Sequence, residues 1–535
     1  MNPAPSLNEL AQPADTPDVS AGRPATTPSS SPRNLSWPAI VIIALLVAAV
    51  PAVLWPGDAP WFWDEPLELA IALAANHQHQ LATHGLSGSF PFPFGPLGIQ
   101  ALQLCLLFTH DPRVLVVYHA LLCAVPTALA LLWLARTLRL PPWFAVAVLA
   151  SPYLWFEARR LWQPSFCIPL GAMAMAAYAS FLKTRARGSL LLAITCAIAP
   201  LFIHLQSLPL SLAILGHLLL RHRSELWRHR WMILGILVVL GTLNCQYLIT
   251  LSWSFFHYLP LRLRIGHNSN TPFANAWWTS FFAGNLFSGQ AWMTSPHLLA
   301  RAVKYLSSIP IPLVWIGIAL AAWHLLLRRG NRPRSAPRAR ATDPHASLLP
   351  GGTPRRTLLA VALAALAIQT LLCAVLRLPS THHYYFGTFG VHVLFAWIAV
   401  AALPRPLWRG LVIAVYALSA AAVSVYSIDQ VHRHSWPRWF CPTLNEQIAV
   451  ATALNAYTDR LAHTEVPAYC DRPEVLGILR LLYPPDPSQS QRHSGRLVIR
   501  FRAANEGTSD RIELVETDQI PLHARRIPLN YAPPP

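Results

Sequence analysis

Carboxylates are scarce in this chain, and their absences are as telling as their positions. Asp and Glu number 23 against 41 Lys and Arg in 535 residues, and charged residues of both signs make up only 12%. A soluble domain carries about 25%. With 54% hydrophobic residues and a mean hydropathy of +0.37, that shortage excludes an ordinary soluble globule and implies a polytopic membrane protein. The eight cysteines show no C-x-x-C or metal-type spacing, which excludes a cysteine-built metal site of the usual kind. The chain also lacks a P-loop, a dinucleotide fingerprint and an internal repeat, so no nucleotide site is suggested on either face.

The net charge of +18 superficially suits nucleic acid. Its distribution argues against that partner, because the arginines cluster in short loops between apolar runs, as the positive-inside rule requires. Residues 1–37, rich in Pro, Ser, Ala and Thr, read as a disordered cytoplasmic tail. They lack the pattern of a cleaved signal peptide, so the first apolar run, Pro38 to Trp55, is expected to stay as an anchor.

Runs long enough to span about 30 Å of hydrocarbon, some only marginally, fall near 38–55, 114–135, 141–156, 165–182, 189–204, 207–220, 231–251, 308–327, 357–376, 386–403 and 410–426. A twelfth run, Phe94 to Phe108, is borderline, and charge decides its status. If it does not span, the loops with Arg136/Arg139, Lys183/Arg185/Arg187, Arg221/Arg223/Arg228/Arg230, Arg328 through Arg356, and Arg405/Arg409 share one side. That side then holds 19 Lys and Arg, against 8 in the opposite loops. If it spanned, every later basic loop would be exported. Phe94–Phe108 is therefore read as a helix on or dipping into the outer face.

The fold class expected is an all-α polytopic membrane protein of about eleven transmembrane helices, with a small α+β extracytoplasmic domain at the C-terminus. The N-terminus would be cytoplasmic, with 38–327 the catalytic membrane module and its outer loop 56–113 holding the site. Residues 328–356 form a basic cytoplasmic linker suited to anionic lipid heads, 357–426 further spans, and 427–535 a periplasmic tail. That tail is expected to contain a helix over about Asn445–Ala462 and a strand over Arg496–Arg502. Cys441 and Cys470, the two cysteines clearly beyond the membrane, could pair in an oxidising periplasm. Cys105, Cys123, Cys167, Cys196, Cys245 and Cys373 read as small core residues.

Between Pro112 and Ser224 the sole carboxylate is Glu157, and from Leu226 to Ile428 it is Asp343. The other acids of the membrane part concentrate in Trp61-Phe-Trp-Asp-Glu-Pro-Leu-Glu68. Ionisable groups near a bilayer are costly and are usually retained for function. Asp64 and Glu65 open a helix whose dipole favours them, and Glu68, four residues after Asp64, lies on the same face. Capping and a solvated loop would explain them blandly. Beside Trp61, Trp63 and the first span, such a carboxylate also suits a general base acting on a hydroxyl acceptor.

His77, His79 and His84 follow at a spacing that is not diagnostic of a metal. A divalent ion held by His77, His79 and a carboxylate is the weaker reading, polar loop histidines the preferred one. A second loop, Ser151 to Ser165, gathers Glu157, Arg159, Arg160 and Trp162. Arginine can grip a phosphate through paired N–H groups; the alternative is an interfacial belt with snorkelling arginines. A third element, Arg377 to Gly387, offers His382, His383 and Tyr384 as donors to a phosphate or sugar, or equally as an interfacial anchor.

Together these stretches resemble the C-type polytopic membrane glycosyltransferases (GT-C), in the protein O-mannosyltransferase and aminoarabinose transferase branch. The resemblance is carried by Asp64-Glu65 after the first span, by Gly95-Pro96-Leu97-Gly98 opening the surface helix, and by Pro152 with Ala158-Arg159-Arg160-Leu-Trp162-Gln163-Pro164. It covers about 38–260 and weakens beyond. The sequence departs from the family pattern in having Pro93-Phe94-Gly95 where a His often precedes the prolines. It also lacks an Asp shortly after the arginines, leaving Glu157 as the acid there. The resemblance implies inverting transfer of a sugar from a polyprenyl-phosphate donor, on the outer face of a bacterial inner membrane, to an envelope glycan, lipid or protein. Asp64 would be the base, Glu65 or Glu68 would adjust it by like-charge proximity, and Arg159 and Arg160 would meet the leaving phosphate. No cofactor is certain; a divalent ion stays open.

A transporter of lipid-linked sugars would instead need polar residues and discontinuous helices at mid-membrane, for which His204, Gln206, Asn244 and Gln246 are the main candidates. A polysaccharide polymerase or ligase would also use an arginine-bearing outer loop, but here the acid-bearing loop comes first. A non-enzymatic membrane scaffold is the blandest alternative.

Overall fold

The computed structural model describes residues 36–61, 64–86, 93–265, 305, 308–327, 353–375, 382–434, 443–449, 451–452, 478, 481–482, 496–502, 511–517 and 525–528. Residues 1–35 of the expected tail 1–37, most of the linker 328–356, Trp63, Cys441 and Cys470 lie outside them, and Trp37 already belongs to the first helix.

Every apolar run of the sequence contains helix in its described part, yet the helices are not eleven uniform spans. They are α1 (Trp37–Val53), α2 (Asp64–His77), α3 (Leu97–Leu106), α4 (Pro112–Leu138), α5 (Pro142–Leu149), α6 (Pro152–Arg159), α7 (Cys167–Thr184), α8 (Arg187–Ile198), α9 (Leu208–Arg221), α10 (Arg223–Arg228), α11 (Arg230–Leu243), α12 (Cys245–Ile265), α13 (Pro310–Leu327), α14 (Thr353–Val375), α15 (Phe389–Ala402) and α16 (Pro406–His434). Among the described residues five are long and apolar enough to cross a membrane, or six if the bent pair α11–α12 counts as one.

The expected span 141–156 is a correction with a local cause. Pro152 lacks an N–H and pushes the residue before it out of helical geometry. Ser151 is accordingly extended, with φ −62 and ψ 133, and the run breaks into α5 and α6. Ser424 Oγ of α16 donates to the Ala150 carbonyl at 2.8 Å, satisfying a group at the break. The run 231–251 turns by 77° at Asn244, whose amide donates back to the Leu240 carbonyl at 2.7 Å and competes with the helix's own ladder. Residues 199–207 form two 3-10 turns between α8 and α9. Cys245, expected in the core, is exposed at the bend; Cys105, Cys123, Cys167, Cys196 and Cys373 are buried.

Packing centres on α7, which lies against α4, α8, α14 and α15. Its alanines, together with Gly171, let backbones approach closely, as small residues do between membrane helices. A Cβ on Gly171 would fall 2.2 Å from the Gly387 carbonyl, and one on Gly317 of α13 would fall 1.9 Å from that of Phe395. α3 has ten residues, about 15 Å of helix, too short to span. Leu104, Leu107 and Phe108 at its end are exposed.

The ends of the helices sort by charge. Lys183 Nζ donates to the Thr137 carbonyl at 3.0 Å, Arg355 to the Leu138 carbonyl, and Arg185 to His222 Nδ1 at 2.7 Å, while Arg136 lies over the Trp37 ring. These contacts bring four of the five basic loops expected on one side to one end of the bundle. The other end gathers Trp55, Asp58, Arg160, His432 and Thr443.

At that second end the tail packs on the first loop. Leu444 N–H donates to the Ala59 carbonyl at 2.9 Å, and Pro60 bridges Thr443. Leu444, Ala451, Ile478 and Leu481 join Leu69 and Ala72 of α2 and Ile99 and Leu102 of α3 in one apolar cluster. Thr443 and Glu446 form a reciprocal cap for the helix that follows, the Glu446 carboxylate accepting from the Thr443 N–H at 2.6 Å. Of the expected helix over Asn445–Ala462, residues 445–449 and 451–452 are described as helical. Arg496–Arg502 is a strand, β1, paired antiparallel with β2 (Arg511–Thr517), which pairs antiparallel with β3 (Arg525–Pro528) in the order β1-β2-β3.

Candidate active site

α2 carries three acids in five residues, and its attachment fixes where they point. Leu69 and Ala72 bury its apolar side against α3. At its far end Asn76 and Gln103 of α3 hold each other: Gln103 Nε2 donates to Asn76 Oδ1 at 2.8 Å and to the Gln80 carbonyl at 2.9 Å, while Gln103 Oε1 accepts from the Ala82 N–H at 2.8 Å. Neither amide stood out in the sequence, since an isolated Asn or Gln has no signature. The turn before α3 is equally fixed. Gly95 N–H donates to the Ile203 carbonyl at 3.0 Å, and a Cβ on Gly95 would fall 2.0 Å from the Phe202 carbonyl, so the motif's glycine serves a close backbone approach.

The facing segment is Arg160 to Trp162, between α6 and the 3-10 turn Gln163–Phe166, with Arg160 and Trp162 in extended geometry. Arg160 bonds Glu65 through Nε at 2.8 Å and through Nη2 at 2.7 Å, and its Nη1 stands 3.7 Å from Glu157 Oε2. The guanidinium also lies 4.2 Å above the Trp162 ring, a cation–π contact. Glu65 is 1% exposed and the Arg160 side chain 15%. Glu68 is fully buried, and its Oε2 accepts the Gln163 N–H at 2.7 Å.

Asp64 differs from both neighbours by remaining half-buried. Burial is the main influence on it and raises its pKa above the ordinary carboxylate range, while the Arg160 charge and a hydrogen bond from Trp162 pull the other way. Burial likewise raises Glu65, opposed chiefly by Arg160. The arrangement provides one accessible, moderately basic carboxylate beside a cation that is already engaged.

The two arginines do not act together. Arg159 is buried, 2% exposed, and turns to the opposite side, where Nη2 donates to the Trp55 carbonyl at 2.5 Å and the guanidinium lies 5.3 Å from the Trp155 ring. Burial lowers its pKa to about 10, with the Asp58 carboxylate opposing that shift. Asp58 in turn accepts from His432 Nδ1 at 2.8 Å, and the His432 ring stacks on Trp55 at 3.9 Å. Asp58, Trp55 and His432 went unnoticed in the sequence because His432 lies 374 residues from Asp58. A paired arginine clamp is therefore not formed in this structure. Arg159 braces the first loop, and Arg160 alone adjoins the acids.

The third element comes close through its aromatics. The 3-10 turn His382–Thr388 sets Phe386 edge-on to Trp162 and to Tyr153, each at 5.8 Å. The side chains of His382, His383 and Tyr384 lie outside the described residues. His77 and His79 are exposed, His84 Nδ1 contacts its neighbour's carbonyl at 2.9 Å, and among the described residues no three His, Cys, Asp or Glu converge in a metal-binding group.

No family model and no curated protein matches this chain. A solved structure of ArnT from Cupriavidus metallidurans in the apo state is similar over 86% of this chain and 92% of its own, at 13% identity and a TM-score of 0.37. An overlay that loose supports no statement about activity.

Proposed function

We propose that this protein is a membrane glycosyltransferase that moves a sugar from a polyprenyl-phosphate donor to a hydroxyl of an envelope glycan, lipid or protein, with inversion. The observation that carries the reading is the contrast within α2: Glu65 and Glu68 are sealed, while Asp64 stays accessible with a raised pKa. A base of that kind is suited to take the acceptor's proton as its oxygen attacks the anomeric carbon from the face opposite the phosphate. The bond from that carbon to the phosphate oxygen breaks, and the polyprenyl phosphate departs with the electron pair. Arg160 is the cation nearest this chemistry in the reading and would meet the charge developing on the phosphate. His382, His383 and Tyr384 remain proposed contacts of the donor, and Glu157 holds Arg160 from behind. The basic end is assigned to the cytoplasm, which sets the site and the tail on the outer face of a bacterial inner membrane.

The test is transfer in membranes bearing Asp64→Asn, supplied with a panel of radiolabelled polyprenyl-phosphate sugars and native envelope acceptors. Labelling by wild type and not by an equally abundant variant supports the reading. Equal labelling by both removes Asp64 as base. One observation favours a second reading, transport of lipid-linked sugars: the helix breaks at 150–151, 199–207 and 244. Movement of lipid-linked sugar between leaflets without labelling of any acceptor would select it.

A further inference from the structure

We propose that Glu68 is an uncharged positioning residue, whose carboxyl group pins the Gln163 backbone and thereby sets Arg160 and Trp162 against Asp64. The inference rests on the glycosyltransferase reading for its consequence in catalysis, but its physical basis is independent of it. Glu68 has no exposed surface, and a buried carboxylate needs a cation or several donors to remain ionised. Its Oε2 has one donor, the Gln163 N–H at 2.7 Å, and its Oε1 has no hydrogen-bond partner. The charged groups that act on it are Asp64 and Glu65 on its own helix and Arg160 across the gap. The two acids oppose ionisation, and Arg160 is already bonded to Glu65 through two nitrogens. Burial and the like charges accordingly raise its pKa well above the usual value.

The pinned segment has little freedom elsewhere. A Cβ on Gly85 would fall 2.4 Å from Gln163 Nε2, and one on Gly98 would fall 2.4 Å from Gln163 Cβ, so the glutamine is wedged under two glycines. Arg160 and Trp162 precede it in extended backbone, and a shift at Gln163 is passed directly to both. Glu68 thus acts on Asp64 through the segment that carries Arg160 and Trp162.

Full-length Glu68→Gln and Glu68→Leu in native membranes test this. Gln reproduces the acceptor and the donor of a neutral carboxyl, so transfer should stay within about threefold of wild type. Leu removes the pin, and displacement of the site should cost about 100-fold. In Glu68→Leu the acid limb of the pH–rate profile should also move to higher pH, because Asp64 loses its hold on Arg160 and Trp162. Loss in Glu68→Gln as deep as in Asp64→Asn would overturn the proposal, as would an unmoved limb in a folded Glu68→Leu. Thermal unfolding in detergent reads the charge state without any activity. A raised folded pKa gives stability that is full below the unfolded value and is lost as pH rises through the folded one. Wild type should therefore lose more stability than Glu68→Gln as pH rises above the unfolded glutamate value; parallel curves would overturn the uncharged state. Absence of transfer in wild type, with divergent unfolding curves, would sink the glycosyltransferase reading and leave a neutral Glu68 standing without its catalytic consequence.

Discussion

The two ends of the bundle hold charge in opposite ways. At the basic end Lys183, Arg185 and Arg355 reach carbonyls or histidine at the helix termini, and Lys183 and Arg185 do so where solvent is available. At the other end Glu65, Glu68, Glu157 and Arg159 are buried, and each needs its surroundings to tolerate it. Charges of the first kind cost little and sort the helices across a membrane. Charges of the second kind carry a desolvation penalty that only specific partners offset. The lesson extends to adjacent residues: Arg159 and Arg160 are neighbours in sequence, yet one braces the loop through Trp55 and the other faces the acids.

The contrast can be broken first at Asp64. Asp64→Asn should lower transfer by about 10²–10⁴-fold, the usual contribution of a general base. Because burial raises the Asp64 pKa, the wild-type rate should fall with decreasing pH at values above the ordinary carboxylate range, as the base takes up its proton. A rate flat through that region would remove Asp64 from the reaction.

Next comes Arg160→Leu, which leaves Glu65 buried without its cation and should destabilise the protein by about 3–5 kcal/mol. Chemical denaturation in detergent measures it, and the double variant with Glu65→Leu should recover much of the loss. Arg159→Met should cost about 1–3 kcal/mol through loss of the charged donor's hydrogen bond to the Trp55 carbonyl, with donor affinity unchanged once the folded fraction is taken into account. A specific loss of donor affinity would restore the arginine pair as a phosphate clamp.

Gly57 sharpens the comparison at the tail. A Cβ there would fall 2.0 Å from Asn445 Oδ1, which already accepts from Arg113 Nε at 2.9 Å. Gly57→Leu should cost about 1–3 kcal/mol by overpacking, seen as earlier proteolysis of the tail in washed membranes. Lys183→Ala at the basic end should change stability by about 0.5 kcal/mol or less and leave transfer unaltered.

Much of the site was legible because scarcity made it so. In a chain with few acids, Asp64, Glu65 and Glu68 stood out, and helical spacing put Asp64 and Glu68 on one face. Gln163 was read as part of a motif, while its role as the partner of Glu68 was not legible. That role depends on a backbone N–H, which every residue but proline has. The span count was less secure because hydropathy averages over a run, whereas Pro152 and Asn244 act at single peptides. Asn445 and His432 were invisible as partners of the first loop, since contacts separated by hundreds of residues leave no local pattern.

Composition and local pattern alone set the apolar runs, the clustering of basic residues in the loops between them and the concentration of acids after the first helix. These follow from transfer free energies and periodicity, which are properties of short segments. Only the tertiary structure decided which acid stays accessible, which arginine faces it and which carboxyl is sealed. Burial and hydrogen-bond partnership depend on the whole surroundings of a group, and those surroundings come from helices far apart in the chain.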